Sequence, residues 1–94
     1  MHVISKPRLT AFGHKHPDAL EALLAWHKLM ERHAIANFAE LRSLFGSVDL
    51  VGDWHVFDIR GNRYRLVCDL VYGARKCFIK HVLTHAEYDR GHWK

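Results

Sequence analysis

Phe57-Asp58-Ile59-Arg60-Gly61-Asn62-Arg63-Tyr64-Arg65-Leu66-Val67 reads as two extended runs joined at Gly61-Asn62, a dipeptide that favours tight hairpin turns. β-Branched and aromatic residues dominate from Val48 onward, in runs at about Trp54–Arg60, Asn62–Tyr72 and Lys76–Thr84, with Gly73-Ala74 between the last two. The simplest topology is an antiparallel meander. Alternation in its middle strand sends Tyr64, Leu66, Cys68, Leu70 and Tyr72 to one face, which we read as the core face. Arg63, Arg65, Val67, Asp69 and Val71 go to the other.

Ahead of Val48 the hydrophobic period is helical. Leu20, Leu23, Leu24, His27 and Met30 recur three or four residues apart and form one stripe, as do Phe38, Leu41, Leu44 and Phe45 up to Gly46. Helices are expected near residues 6–14, 18–33 and 38–45. The expected N-caps are Ser5 ahead of Pro7, His16 or Asp18 with Glu21 in the manner of a capping box, and Asn37 with Glu40. His2-Val3-Ile4-Ser5 is a short strand. The fold class is therefore α+β, with N-terminal helices packed on one face of a small sheet made from the first strand and the meander.

Composition fits one domain. Ninety-four residues, 49% apolar and 12% aromatic, suffice for a single small core, and no low-complexity or single-sign block marks a disordered arm. The longest apolar run, Ala22 to Trp26, is far too short to span a bilayer, and nothing ahead of it reads as a signal peptide. A cytoplasmic protein with no membrane partner is expected, with Cys68 and Cys77 as reduced thiols on neighbouring strands. Fourteen Lys/Arg against ten Asp/Glu, with nine histidines besides, favour a polyanionic or acidic partner. Arg60, Arg63, Arg65, Arg75, Lys76, Lys80 and Arg90 all fall in the C-terminal third. Arg60, Arg63, Arg65 and Lys80, on two runs that end in the His85/Tyr88 pair, are the side chains needed to hold and cleave a phosphodiester, which points to RNA.

Met1-His2-Val3-Ile4-Ser5, His16-Pro17-Asp18, Asn37-Phe38-Ala39-Glu40-Leu41, Gly61-Asn62-Arg63-Tyr64-Arg65-Leu66 and Val82-Leu83-Thr84-His85-Ala86-Glu87-Tyr88-Asp89 together resemble the HigB family of bacterial toxins, a branch of the RelE-like superfamily. The likeness covers nearly the whole chain, and the last two motifs are the most specific. It implies a RelE-like fold over residues 1–94, with two or three N-terminal helices on a small, mainly antiparallel sheet. It also implies cleavage of messenger RNA, usually on the translating ribosome, and inhibition of translation. The implied partner is a HigA-like helix-turn-helix antitoxin through which operator DNA is bound; this chain shows no such DNA-reading segment. The ParE branch resembles the same fold but poisons DNA gyrase without cutting RNA, and is the alternative.

RelE-like toxins are similar to metal-independent ribonucleases, in which the substrate's own 2′-hydroxyl attacks phosphorus. Charge stabilisation and proton transfer suffice, and no cofactor or metal is expected. Arg65 stands where such toxins carry a phosphate-binding arginine; the competing reading pairs it with Asp58 or Asp69 on the sheet. His85 suits a base or acid, since histidine ordinarily titrates near neutrality, or it caps the turn. Tyr88 stacks on a base, donates a proton, or covers the sheet edge. Relatives outside this branch use lysines where Trp54-His55-Val56-Phe57 offers His55, so the base is left between His55 and His85. Arg60, Arg63 and Lys80 are read as contacts to the RNA backbone, against the alternative of solvated strand charges. His81 and His85 stand four apart, a zinc spacing only on a helix, and here they fall on a strand and its exit.

Overall fold

A computed structural model describes residues 1–94. The elements are β1 (His2–Ile4), α1 (Lys6–Lys15), α2 (Pro17–Arg32), α3 (Phe38–Leu44), β2 (Asp49–Val51), β3 (Trp54–Ile59), β4 (Tyr64–Val71), β5 (Lys76–Thr84) and α4 (His85–Arg90). One five-stranded sheet has the order β1-β5-β4-β3-β2, with β1 parallel to β5 and every other pair antiparallel. The α+β expectation and the meander hold. No helix is long and apolar enough to cross a membrane.

The two faces of the sheet have separate cores. Helix side chains Leu9, Ala19, Leu23, Trp26, Met30 and Leu41 pack against Phe57, Ile59, Tyr64, Leu66, Cys68, Leu70, Cys77 and Ile79 from the strands. On the opposite face Val56 and Val67 are covered by Trp93, with Trp54, Leu83 and Tyr88 around them. The face expected to be open is therefore half covered by the C-terminal segment, and Val67 is fully buried there. Cys68 and Cys77 are free and buried, and burial pushes the Cys68 thiol up. Leu66, central in the larger core and without solvent exposure, is a direct check on this packing. Leu66→Ala should cost about 2–5 kcal/mol in urea unfolding; a loss below about 1 kcal/mol would mean the core is not closed around it.

Two expected caps do not form. Ser5 adopts a left-handed backbone (φ 81°) and makes no side-chain cap. Helix α2 starts with Pro17 in its first turn and has no side-chain cap, because the Asp18 carboxylate is turned instead toward the β3–β4 loop. Asn37 does cap α3, accepting from the Glu40 N–H at 2.9 Å. The missed elements are β2 and α4. A Thr84/Glu87 capping box opens α4, with Glu87 N–H donating to Thr84 Oγ1 (3.2 Å) and Thr84 N–H to Glu87 Oε1 (2.9 Å).

A register shift in β5 decides what shares the second face. Cys68 pairs with Ile79 but Val67 pairs with His81, so Lys80 is an extra residue, a β-bulge. Beyond it the alternation inverts: Val82 joins the helix-side core, while Leu83 packs with Trp93, Val56 and Val67. His81, paired to Val67, is thereby turned to the α4 side.

Candidate active site on the α4 face of the sheet

Arg65 is the second residue of the central strand β4, at the end of this face beside the β3–β4 loop, paired across the ladder with Asp58 on β3 and Leu83 on β5. Its side chain is only 14% exposed and is held on several sides. Nε lies 3.2 Å from Asp58 Oδ1, Nη1 donates to the carbonyls of Asn62 (2.9 Å) and Tyr64 (3.4 Å), and the Tyr88 ring centroid is 5.3 Å from the guanidinium carbon. Nη2 has no hydrogen-bond partner within the protein. The expected ion pair with Asp58 and the expected phosphate contact are thus compatible: Nε and Nη1 are anchored while Nη2 is left for an anion.

Tyr88 is fixed by its neighbours. Its ring stacks on Trp93 at 4.9 Å between centroids and 15° between planes, and the Trp93 indole N–H donates to the Tyr88 carbonyl at 2.8 Å. The ring is committed to Arg65 and Trp93, whereas its hydroxyl makes no hydrogen bond within the protein. His85 starts α4, with its backbone N–H donating to the Arg63 carbonyl at 3.0 Å. Its Nδ1 lies 3.0 Å from Asp89 Oδ2 and the side chain is 47% exposed. A carboxylate at Nδ1 selects the tautomer with the proton there and leaves the Nε2 lone pair available. Positions 85, 88 and 89 share one side of the helix, which brings the His85–Asp89 pair to the side that carries Tyr88.

His55 is not part of this constellation. It pairs with Cys68 on the helix side of the sheet, is 6% exposed, and shares a 2.8 Å hydrogen bond between Nε2 and the Tyr72 hydroxyl. Its ring meets Phe38 and Tyr72 at tilted and edge-on angles. Its position in β3 puts it one residue out of phase with Asp58, hence on the wrong face for Arg65. Of the two histidines expected as the base, only His85 is on the Arg65 side of the sheet. Burial holds the His55 imidazole below its ordinary value near 6.5, and the Asp69 carboxylate only partly offsets this. Below that ordinary value the unfolded chain binds a proton that the folded chain resists, so stability should fall as pH drops from 7 toward 5. His27 and His81 are lowered for the same reason and add to the slope. The urea midpoint should fall less over this range in His55→Gln than in the parent; equal falls would contradict a neutral buried His55.

The other basic residues are placed differently from expectation. Arg60 Nη1 lies 3.0 Å from Asp18 Oδ2 and donates to the Asp18 carbonyl at 3.1 Å, and Arg63 Nη1 is 3.3 Å from the same carboxylate. Both are therefore ion-paired to α2 rather than free. Lys80 sits at the bulge with its ammonium 5.7 Å from the Phe78 ring centroid, and its carbonyl accepts from Arg8 Nη1 at 2.7 Å.

A cleft of about 270 Å³ lined by His81, Leu83, Glu87, Arg90, His92 and Trp93 joins Arg90 of the basic cluster to His81, Glu87, His92 and Trp93, which the sequence does not assign to the site. The signal was present: apolar Ile79 and Val82 stand three apart in a strand, which strict alternation forbids and a bulge explains. Burial, with Arg8 and Lys80 nearby, holds the His81 imidazole low.

A family model described as "HigB_toxin, RelE-like toxic component of a toxin-antitoxin system" matches residues 19–91. The chain belongs to the HigB toxin family. Membership carries with it an antitoxin partner. The chain is similar to the mRNA interferase HigB of Escherichia coli O6:H1 (strain CFT073), with 29% identity over 93 residues, covering 96% of this chain and 90% of that protein. It is equally similar to the mRNA interferase toxin HigB of E. coli K12 and the mRNA interferase HigB of Shigella flexneri, each 29% identical over 92 residues, 95% of this chain and 88% of the relative.

Proposed function

We propose that this HigB toxin is a messenger RNA endonuclease that cuts by transesterification. The observation that carries the reading is the anchored Arg65, whose unpaired Nη2 lies on the same face as a carboxylate-oriented histidine. His85 Nε2 takes the proton of the substrate's 2′-hydroxyl, and the 2′-oxygen bonds to the adjacent phosphorus. The charge that builds on the non-bridging oxygens is met by Arg65. The bond to the 5′-oxygen breaks and that oxygen receives a proton from the Tyr88 hydroxyl, leaving a 2′,3′-cyclic phosphate and a 5′-hydroxyl. A proton returned from His85 through solvent restores Tyr88.

The ribosome is the natural holder of this substrate. Arg60 and Arg63 are tied to Asp18, so the face has few free cations with which to grip a strand on its own. The cleft beside it, with Arg90, His81 and His92, together with Lys80, then steers the backbone. The partner is a HigA-like antitoxin that covers this basic face, with acidic groups toward it. The test is to induce the protein in bacteria, with and without Arg65→Ala, and map messenger RNA 5′ ends. In-frame cuts that disappear in the variant support the reading; growth arrest with intact messages would move the activity to the gyrase-poison class.

A further inference from the structure

Asp18 gathers the whole β3–β4 loop. Its Oδ1 accepts from the Tyr64 hydroxyl at 2.7 Å, its Oδ2 meets Arg60 at 3.0 Å and Arg63 at 3.3 Å, and its carbonyl accepts from Arg60 at 3.1 Å. The same loop supplies the backbone that sets the candidate active site. The Asn62 and Tyr64 carbonyls hold Arg65 Nη1, and the Arg63 carbonyl takes the His85 N–H. Arg60 and Gly61 are both in the left-handed region (φ 54° and 67°). For Arg60 that conformation is unfavourable unless something fixes it.

From these contacts we propose that Asp18 is a positioning residue for the cleavage reaction: by clamping Arg60, Arg63 and Tyr64 from α2, it fixes the carbonyls that aim Arg65 and seat the first turn of α4. This rests on the function proposed above. The hydrogen bond from Tyr64 and the two arginines hold the Asp18 carboxyl below its ordinary range, so the clamp stays ionised through the physiological pH range. The clamp also sets apart two arginines that sequence reading assigned to RNA.

The test compares the parent, Asp18→Asn, Asp18→Glu and Tyr64→Phe in single-turnover cleavage of programmed ribosomes, alongside melting temperatures. Asp18→Asn should lower the saturating rate roughly 10- to 100-fold, the scale for a small displacement of reacting groups, with the half-saturating ribosome concentration little changed. Asp18→Glu should recover most of the rate, and Tyr64→Phe should show a smaller loss in the same direction. The Arg65 Nε–Hε resonance, read in ¹⁵N spectra, should shift in Asp18→Asn. An unchanged rate and resonance would overturn the clamp. So would tighter ribosome binding with faster cutting, which would make Asp18 a decoy that masks RNA-binding arginines. If the parent does not cut, the proposed function fails, while the Arg65 resonance still decides whether Asp18 positions it.

Discussion

Replacing Arg65 by alanine is expected to slow cleavage roughly 10²–10³-fold, the scale for deleting one donor aimed at charge that develops in the transition state. Binding to the ribosome should weaken much less, because Nη2 is a single contact among those on the face. Arg65 is not a bystander in the fold, however. It is largely buried, and its removal leaves Asp58 and the Asn62 carbonyl without their partner. A stability loss of about 1 kcal/mol, or roughly 4–8 °C in melting temperature, should accompany the loss of activity and is too small to explain it. Arg65→Lys tests the geometry rather than the charge. A lysine ammonium cannot keep the Asp58 and Asn62 contacts and still present a second donor edge, so it should restore little of the rate. Recovery to near the parental rate would show that charge alone suffices.

His85→Ala is expected to lower the cleavage rate roughly 10²–10⁴-fold, the range for losing a general base. The histidine is half exposed and caps nothing with its side chain, so the melting temperature should hardly move. Asp89→Asn should give a smaller loss. It keeps a hydrogen-bonding group at Nδ1 but removes the charge that favours the tautomer with Nε2 free. A pH–rate profile in which the acidic limb vanishes in His85→Ala would assign that limb to this imidazole. Retention of the limb would move the proton transfer to another group, with His81 in the neighbouring cleft as the alternative to test.

The parts of this molecule legible from its sequence are those governed by local periodicity. The stripe of α3, the meander and the inward set Tyr64, Leu66, Cys68 and Leu70 follow from spacing alone, and the elements stand within a residue or two of where that spacing puts them. In α2 only Leu23 and Met30 of the expected stripe are buried, because the helix turns Ala19 and Trp26 to the sheet and leaves Leu24 exposed. Sequence proximity of His55 to the Arg65 hairpin does not reveal strand phase; only the pairing His55↔Cys68 shows that it faces the helices. The bulge at Lys80 hid His81, since one unpaired residue reverses every side chain after it. Helix α4 was read as a strand exit although Thr84-His85-Ala86-Glu87 has the spacing of a capping box. Asp18 had the sequence signature of a helix cap, and no local rule foretells that an aspartate will serve a loop more than forty positions away.

Product chemistry tests the central claim most directly. Programmed ribosomes should be treated with the parent protein and with Arg65→Ala in buffer containing EDTA at a concentration the ribosomes tolerate, and the ends of the cut message analysed. The account predicts a 2′,3′-cyclic phosphate upstream and a 5′-hydroxyl downstream, formed at an undiminished rate by the parent and roughly 10²–10³-fold more slowly by the variant. A 3′-hydroxyl with a 5′-phosphate, or an Arg65→Ala protein that cuts as fast as the parent, would contradict it.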